Sequence, residues 1–204
     1  MPKVTEKHRA ARRKQIVDAG RRCVAEQGFH KTTMNDVIRE SGLSAGAVYG
    51  YFKSKSDIVA AIADDALGNI DELFDRILAD PGLSPVTALK AALDHTVEIA
   101  SRPGGDVTKV AVQAWAESLR DDAIRDTASG KYTVLREHFA DIARRGQENG
   151  TISKDVDPEC VAQAMFGMLP GFILQRLILG DVTPESYTAG FAALVAGSSP
   201  SSSG

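Results

Sequence analysis

SAGAVYGYFKSK, residues 44–55, sets two alanines, two glycines and two tyrosines within seven positions and follows them with Lys53 and Lys55. Glycine inside a helix costs about 1 kcal/mol relative to alanine. Side chains this small also fill little core, so a helix over this stretch is built for something other than burial. Ser44 is a good N-cap for it, and Val48 and Phe52 repeat at helical spacing as its inward face. Immediately upstream, Gly42 and Leu43 make a tight turn. Before that turn, Thr33 with Asp36 three residues later has the form of a capping box, and Val37 and Ile38 supply the apolar stripe of a two-turn helix ending at Ser41-Gly42. Residues 5–27 form an earlier amphipathic helix with Ile16, Gly20, Cys23, Val24 and Gln27 on one face; it stops at Gly28, and Phe29 plugs the small core.

Three short helices, the last two joined through a glycine turn, have helix-turn-helix geometry, in which the second helix of the pair enters the DNA major groove. The small side chains then have a use. Ala45 and Gly46 let the backbone come close to DNA, Ser44 caps the first turn, and N–H groups at a helix start favour phosphate oxygens. Tyr49 and Tyr51 offer hydroxyl donors. The same residues also have ordinary roles: Thr33 and Ser44 cap helices with or without DNA, and Tyr51 suits a half-buried position.

Charge agrees with this reading. The 204 residues carry a formal net charge of −3, yet residues 1–55 hold 12 Lys+Arg against 5 Asp+Glu, a net of +7, which leaves −10 for the remainder. A basic front end suits a polyanion, although solvated tails and membrane-surface patches share that composition. With alanine or glycine at 45, 46, 47 and 50, direct base readout is sparse. Lys3, Lys7, Arg9 and Arg12 of a basic N-terminal arm are therefore expected to add minor-groove or phosphate contacts. Cys23 and Cys160 are far apart with no CxxC spacing, so no disulfide framework, metal site or cofactor site is suggested. The N-terminus lacks the apolar run of a signal peptide, which makes the cytoplasm the expected compartment.

The segment GFHKTTMNDVIRESGLSAGAVYGYFKSKSDIVAAI, residues 28–62, resembles the DNA-binding signature of TetR-family (tetracycline-repressor-like) transcriptional regulators. The match runs through glycine-aromatic, paired threonines, an Asp-apolar helix, Gly-apolar-Ser, small-Gly, apolar-Tyr, Tyr-Phe and Lys. The resemblance implies DNA contacts from Thr33, Ser44, Ala45, Gly46, Ala47, Tyr49, Tyr51 and Lys55, with Lys55 the best-matched phosphate ligand. Ile38 stands where the pattern usually has alanine. Gly50 occupies a variable position and removes a side chain that could touch DNA.

Beyond residue 55 the periodicity is helical throughout. One helix is expected over 56–80, with Ile58, Ile62, Ala66, Ile70, Leu73 and Ile77 on its stripe. Others follow from Pro85 to about Arg102, over 106–119 and over 122–149, and a final one spans 184–196. PECVAQAMFGMLPGFILQRLIL, from Pro158, is the most apolar segment; its uninterrupted run from Ala164 to Leu174 is short for a membrane span, and Gln163, Gln175 and Arg176 bound it. Such a helix is expected to be buried on several sides, at a subunit interface as well as in the core. Gly167 and Gly171 would admit a close helix, with Ile178 and Phe191 beside them. RGQENGTIS, residues 145–153, followed by an apolar helix and a last helix, is similar to the TetR-family C-terminal body, and the resemblance implies that the last two helices pair across a homodimer. GSSPSSSG at 197–204 reads as disordered.

No catalytic constellation appears. His95 and His138 are isolated, and there is neither a phosphate loop nor a nucleophile elbow, although Glu98 or Glu117 could serve a site that spacing does not reveal. Trp115, Phe139, Met165, Met168 and Phe172 are large, deformable apolar residues able to line a pocket between bundle helices, and equally able to be plain core. The expectation is an all-α chain of about nine helices: a helix-turn-helix domain over 1–55, a ligand-binding and dimerisation body over 56–197, and a Ser-rich tail over 198–204. The expected function is that of a homodimeric regulator, a repressor released from a double-stranded DNA operator by a small-molecule effector, with no membrane partner and no enzyme activity. A sequence-nonspecific DNA binder and a helical ligand-binding or adaptor protein without DNA binding are the alternatives.

Overall fold

The computed structural model describes residues 2–68 and 70–196, with side-chain surroundings from residue 6 onward. The expected tail over 198–204 and the side-chain surroundings of Lys3 in the arm lie outside that description. Among the described residues there are ten helices and no strand: α1 (Pro2–Gln27), α2 (Met34–Ser41), α3 (Ala45–Tyr51), α4 (Lys55–Leu67), α5 (Ile70–Leu78), α6 (Pro85–Ala100), α7 (Val107–Ser118), α8 (Asp122–Asn149), α9 (Pro158–Ile178) and α10 (Pro184–Ala196). The single helix expected over 56–80 comprises α4 and α5. The basic arm is no loose strand: Lys7, Arg9 and Arg12 ride on α1.

Local chemistry sets the helix ends. α1 stops at Gly28, whose φ of 90° is open to glycine and strained for other residues. Thr33 and Asp36 form the expected capping box of α2, and Gly42, with φ 67°, closes that helix by donating its N–H to the Arg39 carbonyl. Ser44 caps α3 by accepting from the Ala47 N–H. A second capping box, Ser54 with Asp57, opens α4.

The chain forms two compact units. The first comprises Met1–Asn69 and Glu98–Lys131. It therefore extends past the residue-55 boundary expected for the DNA-binding part, because α4 and α7 supply much of its core. Ile16, Val24, Phe29, Val37, Val48, Phe52, Ile58, Ile62, Val107, Val110 and Ile124 belong to one buried apolar cluster. Gly20 marks the tightest approach within it: a Cβ there would collide with the Ile58 side chain, so α1 and α4 pass closer than any other residue permits. Arg21, buried to 3% exposure, sits between Asp18 at 2.5 Å and Asp65 at 3.5 Å and ties α1 to α4 by charge.

The second unit comprises Ile70–Val97 and Tyr132–Gly204. Phe74 of α5 meets Phe139 of α8 edge-on at 5.2 Å and stacks on His138 at 4.5 Å. Leu89, Leu93, Ile142, Met165 and Phe172 of the same unit are fully buried. α9 runs unbroken through Pro170.

Candidate nucleic-acid interface

The first unit presents α3 with one face in and one face bare. Val48 is 0% exposed and Phe52 4%, which anchors the helix as expected. On the other side Ala45, Gly46, Tyr49 and Gly50 are exposed, Tyr49 to 41%. A Cβ added at Gly46 or at Gly50 would meet nothing within 4 Å. Neither glycine has a positive φ. The fold itself thus requires neither glycine, although each lowers the stability of a seven-residue helix. The small side chains leave the α3 backbone approachable from outside.

The remaining expected contacts fall into two groups. Thr33 is exposed but its hydroxyl is engaged, donating to Asp36 Oδ2 at 2.7 Å and accepting from the Asp36 N–H at 3.2 Å. The Thr33 hydroxyl, and after it the Thr33 N–H at 2.9 Å, donate to the Asp36 carboxylate and hold its pKa below the ordinary value. Ser44 and Ala47 share the α3 capping bond. Tyr51 is half-buried and packs against the core cluster rather than standing clear. Beside α3, Lys53 donates to the Tyr49 carbonyl at 2.7 Å and so closes its C-terminal end.

Lys55 points inward. Its ammonium donates to the carbonyls of Phe29 at 2.5 Å and Thr32 at 3.1 Å and lies 4.0 Å from the centre of the Phe29 ring. Burial pushes its pKa below the ordinary lysine value, and the Glu117 carboxylate pulls it partly back. The structure therefore places Lys55 as a staple of the turn between α1 and α2. Sequence spacing identifies the residue but not these partners. Two α7 side chains join the same turn without any local signal in the sequence. Gln113 donates to the Val24 carbonyl at 3.0 Å and accepts from the Phe29 N–H, and Glu117 meets His30 Nε2 at 2.9 Å.

The expected pocket and interface residues are distributed as follows. Trp115 belongs to the first unit, and Phe139, Met165, Met168 and Phe172 to the second. There, Phe139, Met165 and Phe172 are fully buried core, with Phe172 edge-on to Tyr187 at 5.5 Å, and Met168 is half-buried. A cavity of about 200 Å³ in this unit is lined instead by Leu73, Arg76, Ile77, Asp80, Leu83 and Thr87, with alanines beside them. Gly171 serves α10 within the chain, since a Cβ there would lie 3.3 Å from Tyr187 Oη, whereas Gly167 has nothing within 4 Å. Ile178 is 73% exposed and Phe191 half-buried. α9 is long and apolar enough by composition to cross a membrane, and only 22% of its apolar window is buried in the single chain, less than the burial on several sides expected from its composition. Among the described residues no group of three or more His, Cys, Asp or Glu side chains could hold a metal ion.

Comparison with known proteins decides what carries this interface. Residues 16–62 match the bacterial regulatory proteins of the tetR family, and residues 85–198 match the C-terminal region of BetI-type transcriptional repressors. The chain belongs to the TetR family. This TetR-family regulator is 46% identical over 185 residues to the HTH-type transcriptional repressor Rv1474c of Mycobacterium tuberculosis, covering 89% of its own length and 90% of that relative. A putative transcriptional regulator from Pseudomonas aeruginosa shares the fold with a TM-score of 0.76 at 21% identity, over 92% of this chain and 90% of that one. Another, from Saccharomonospora viridis and solved in complex with choline, gives 0.73 at 21% identity over 92% and 96%. The α1–α3 segment is accordingly the helix-turn-helix of a DNA-binding transcriptional regulator.

Proposed function

We propose that this TetR-family regulator is a cytoplasmic homodimeric repressor that binds a two-fold operator through α3 and is released by a small-molecule effector. The observation that carries the DNA-facing part is the bare side of α3, where Gly46 and Gly50 lower helix stability and leave open space. Ala45, Gly46 and Tyr49 approach the groove, Ser44 and Ala47 hold the first turn against the phosphates, and Thr33 and Tyr51 flank them. Lys7, Arg9 and Arg12 supply phosphate contacts from α1, a role suited to long basic side chains that read no sequence.

Dimerisation is supported by apolar surface that the single chain leaves uncovered. Ile178 of α9 is 73% and Leu194 of α10 75% exposed, and a Cβ at Gly167 of α9 would meet nothing within 4 Å. A second copy covering this surface would set the spacing of two α3 helices, as a two-fold operator demands. Repression is favoured by the 46% identical repressor. Effector release draws on the helical body and on the choline-bound neighbour, whose ligand is that protein's own. The test is a duplex selected by the protein from a randomised pool, titrated against random-sequence competitor across a salt series, with sedimentation run in parallel. A dimer preferring the selected duplex by about a thousandfold or more is expected. Equal affinity for random DNA would leave a nonspecific binder, and a monomer with no salt-sensitive DNA binding would leave an adaptor.

A further inference from the structure

We infer that Gln113 of α7, with Glu117 one turn later, is a positioning residue for operator binding, a latch that holds the α1–α2 turn so that α2 and α3 present their outer faces in one orientation. The inference rests on the DNA-binding reading of α3 and does not need an effector.

The turn runs from Gly28 to Thr32 and leads directly into Thr33, the cap of α2. Few of its own hydrogen bonds hold it: the Thr32 N–H and hydroxyl reach back to the Gly28 carbonyl at 3.1 and 2.8 Å. The Gly28 N–H also donates to the Val24 carbonyl at 3.0 Å, and side chains from elsewhere in the chain add the rest. One primary amide, that of Gln113, grips both sides of the Gly28 reversal: its NH₂ donates to the Val24 carbonyl at 3.0 Å, where α1 ends, and its oxygen accepts from the Phe29 N–H, where the turn begins. An ammonium, which only donates, or a carboxylate, which only accepts, could not do both, whereas an amide carries donor and acceptor side by side on separate atoms. Phe29 is buried, so an unmatched N–H there would be costly. Four residues along α7, which is one helical turn, buried Glu117 meets His30 at 2.9 Å. Lys55 adds two bonds of its own, to the Phe29 and Thr32 carbonyls.

The turn is therefore gripped from α7 and from the first residue of α4. None of these side chains lies on the exposed face of α3. A displacement of α7 by an ångström would stretch both Gln113 bonds past useful length and free the chain that launches α2. α3 is joined to α2 by the short Gly42-Leu43 turn, so its orientation follows.

Gln113→Met retains the length and apolar contacts of the side chain and removes both hydrogen bonds. The full-length variant is compared with wild type by amide hydrogen exchange over residues 28–41. It is also titrated with the duplex that wild type selects from a randomised pool, and with random-sequence duplex across a salt series. Exchange at Phe29 and through the first turn of α2 is expected to accelerate. Affinity for the selected duplex is expected to fall about fivefold or more, because the competent orientation is less populated. Random-duplex affinity and the salt slope stay as in wild type, since no phosphate contact has been removed. Gln113→Glu keeps an acceptor for Phe29 and loses the donor to Val24, and is expected to fall between the two. Unchanged exchange overturns the latch, and so does faster exchange with wild-type affinity for the selected duplex. A proportional loss on both duplexes with a shallower slope overturns it as well, by placing Gln113 at the phosphates. Should wild type select no duplex over the random pool, the operator reading itself fails, and the exchange data then decide separately whether Gln113 holds the turn.

Discussion

Gly50→Ala and Gly46→Ala should move stability and DNA affinity in opposite directions. Each adds one methyl group to α3 at a position where a Cβ meets nothing within 4 Å and where φ is not positive, so neither substitution strains the backbone nor displaces a neighbour. What remains is the intrinsic difference between glycine and alanine in a helix, about 0.5–1 kcal/mol in favour of alanine. For a chain of this size, 1 kcal/mol corresponds to roughly 2–4 °C in Tm. The DNA side carries the opposite sign, because a methyl on the approaching backbone holds the helix away from the groove. A tenfold loss of affinity, about 1.4 kcal/mol, is expected for Gly46→Ala at the first turn. Thermal melting followed by circular dichroism and fluorescence-anisotropy titration against a selected duplex would measure the two effects on the same samples. If both variants melt lower than wild type, the outer face of α3 is packed against something and the argument collapses. If both melt higher and bind DNA as wild type does, the bare face is not the one that meets DNA.

Three further outcomes follow from the geometry. Lys55→Met, which keeps the stem over Phe29 and removes two hydrogen bonds from a charged donor, should lower stability by about 1.5–3 kcal/mol and leave the salt slope of DNA binding unchanged; a slope reduced by about one unit would return Lys55 to the phosphate backbone. Asp36 and Asp57 have carboxyl pKa values lowered by the capping bonds from Thr33 and Ser54 respectively, so their contribution to folding is present above the unfolded-state value and is lost as pH falls through the lower folded value; urea titrations across the acid range should show that loss in wild type and a flatter profile in Asp36→Ala/Asp57→Ala. Ile178→Asp with Leu194→Asp should shift sedimentation toward monomer without lowering helix content, as should Gly167→Leu, which has open space within its own chain, whereas Gly171→Leu should disturb the Tyr187 contact inside the monomer; an intact dimer in the first two would move the interface elsewhere.

Much of the fold was legible because helix ends are local events. Thr33 with Asp36, Gly42, Ser44, Pro85, Pro158 and Pro184 each declare a boundary within four residues of chain, and the structure places helix ends beside all of them. The Ser54–Asp57 box has the same spacing and was readable by the same rule. The bare face of α3 was legible too, because residue size and helix period together say which side is thin. The latch was not legible. Gln113 is 89 residues from Val24 and 84 from Phe29, and a lone glutamine on a half-polar helix carries no local signal. The partners of Lys55 were hidden for the same reason: its position fits a phosphate ligand, and only the folded turn reveals two carbonyls within its reach. Residue size grouped Trp115 with Phe139 and Met165, and it carries no information on which compact unit each joins: Trp115 is in the first, Phe139 and Met165 in the second.

The unit that carries the helix-turn-helix is assembled from two separate runs of chain, Met1–Asn69 and Glu98–Lys131. A single recombination junction near residue 55 or 69 would transplant the DNA-reading helices without the surface on which they were folded. The graft would lack Val107, Val110 and Ile124 from its apolar cluster and Gln113 and Glu117 from its turn. Exchanging operator specificity between such regulators therefore calls for two crossovers or for point changes on α3. In a lineage that diversifies by substitution rather than by shuffling, the reader and α7 would be inherited together.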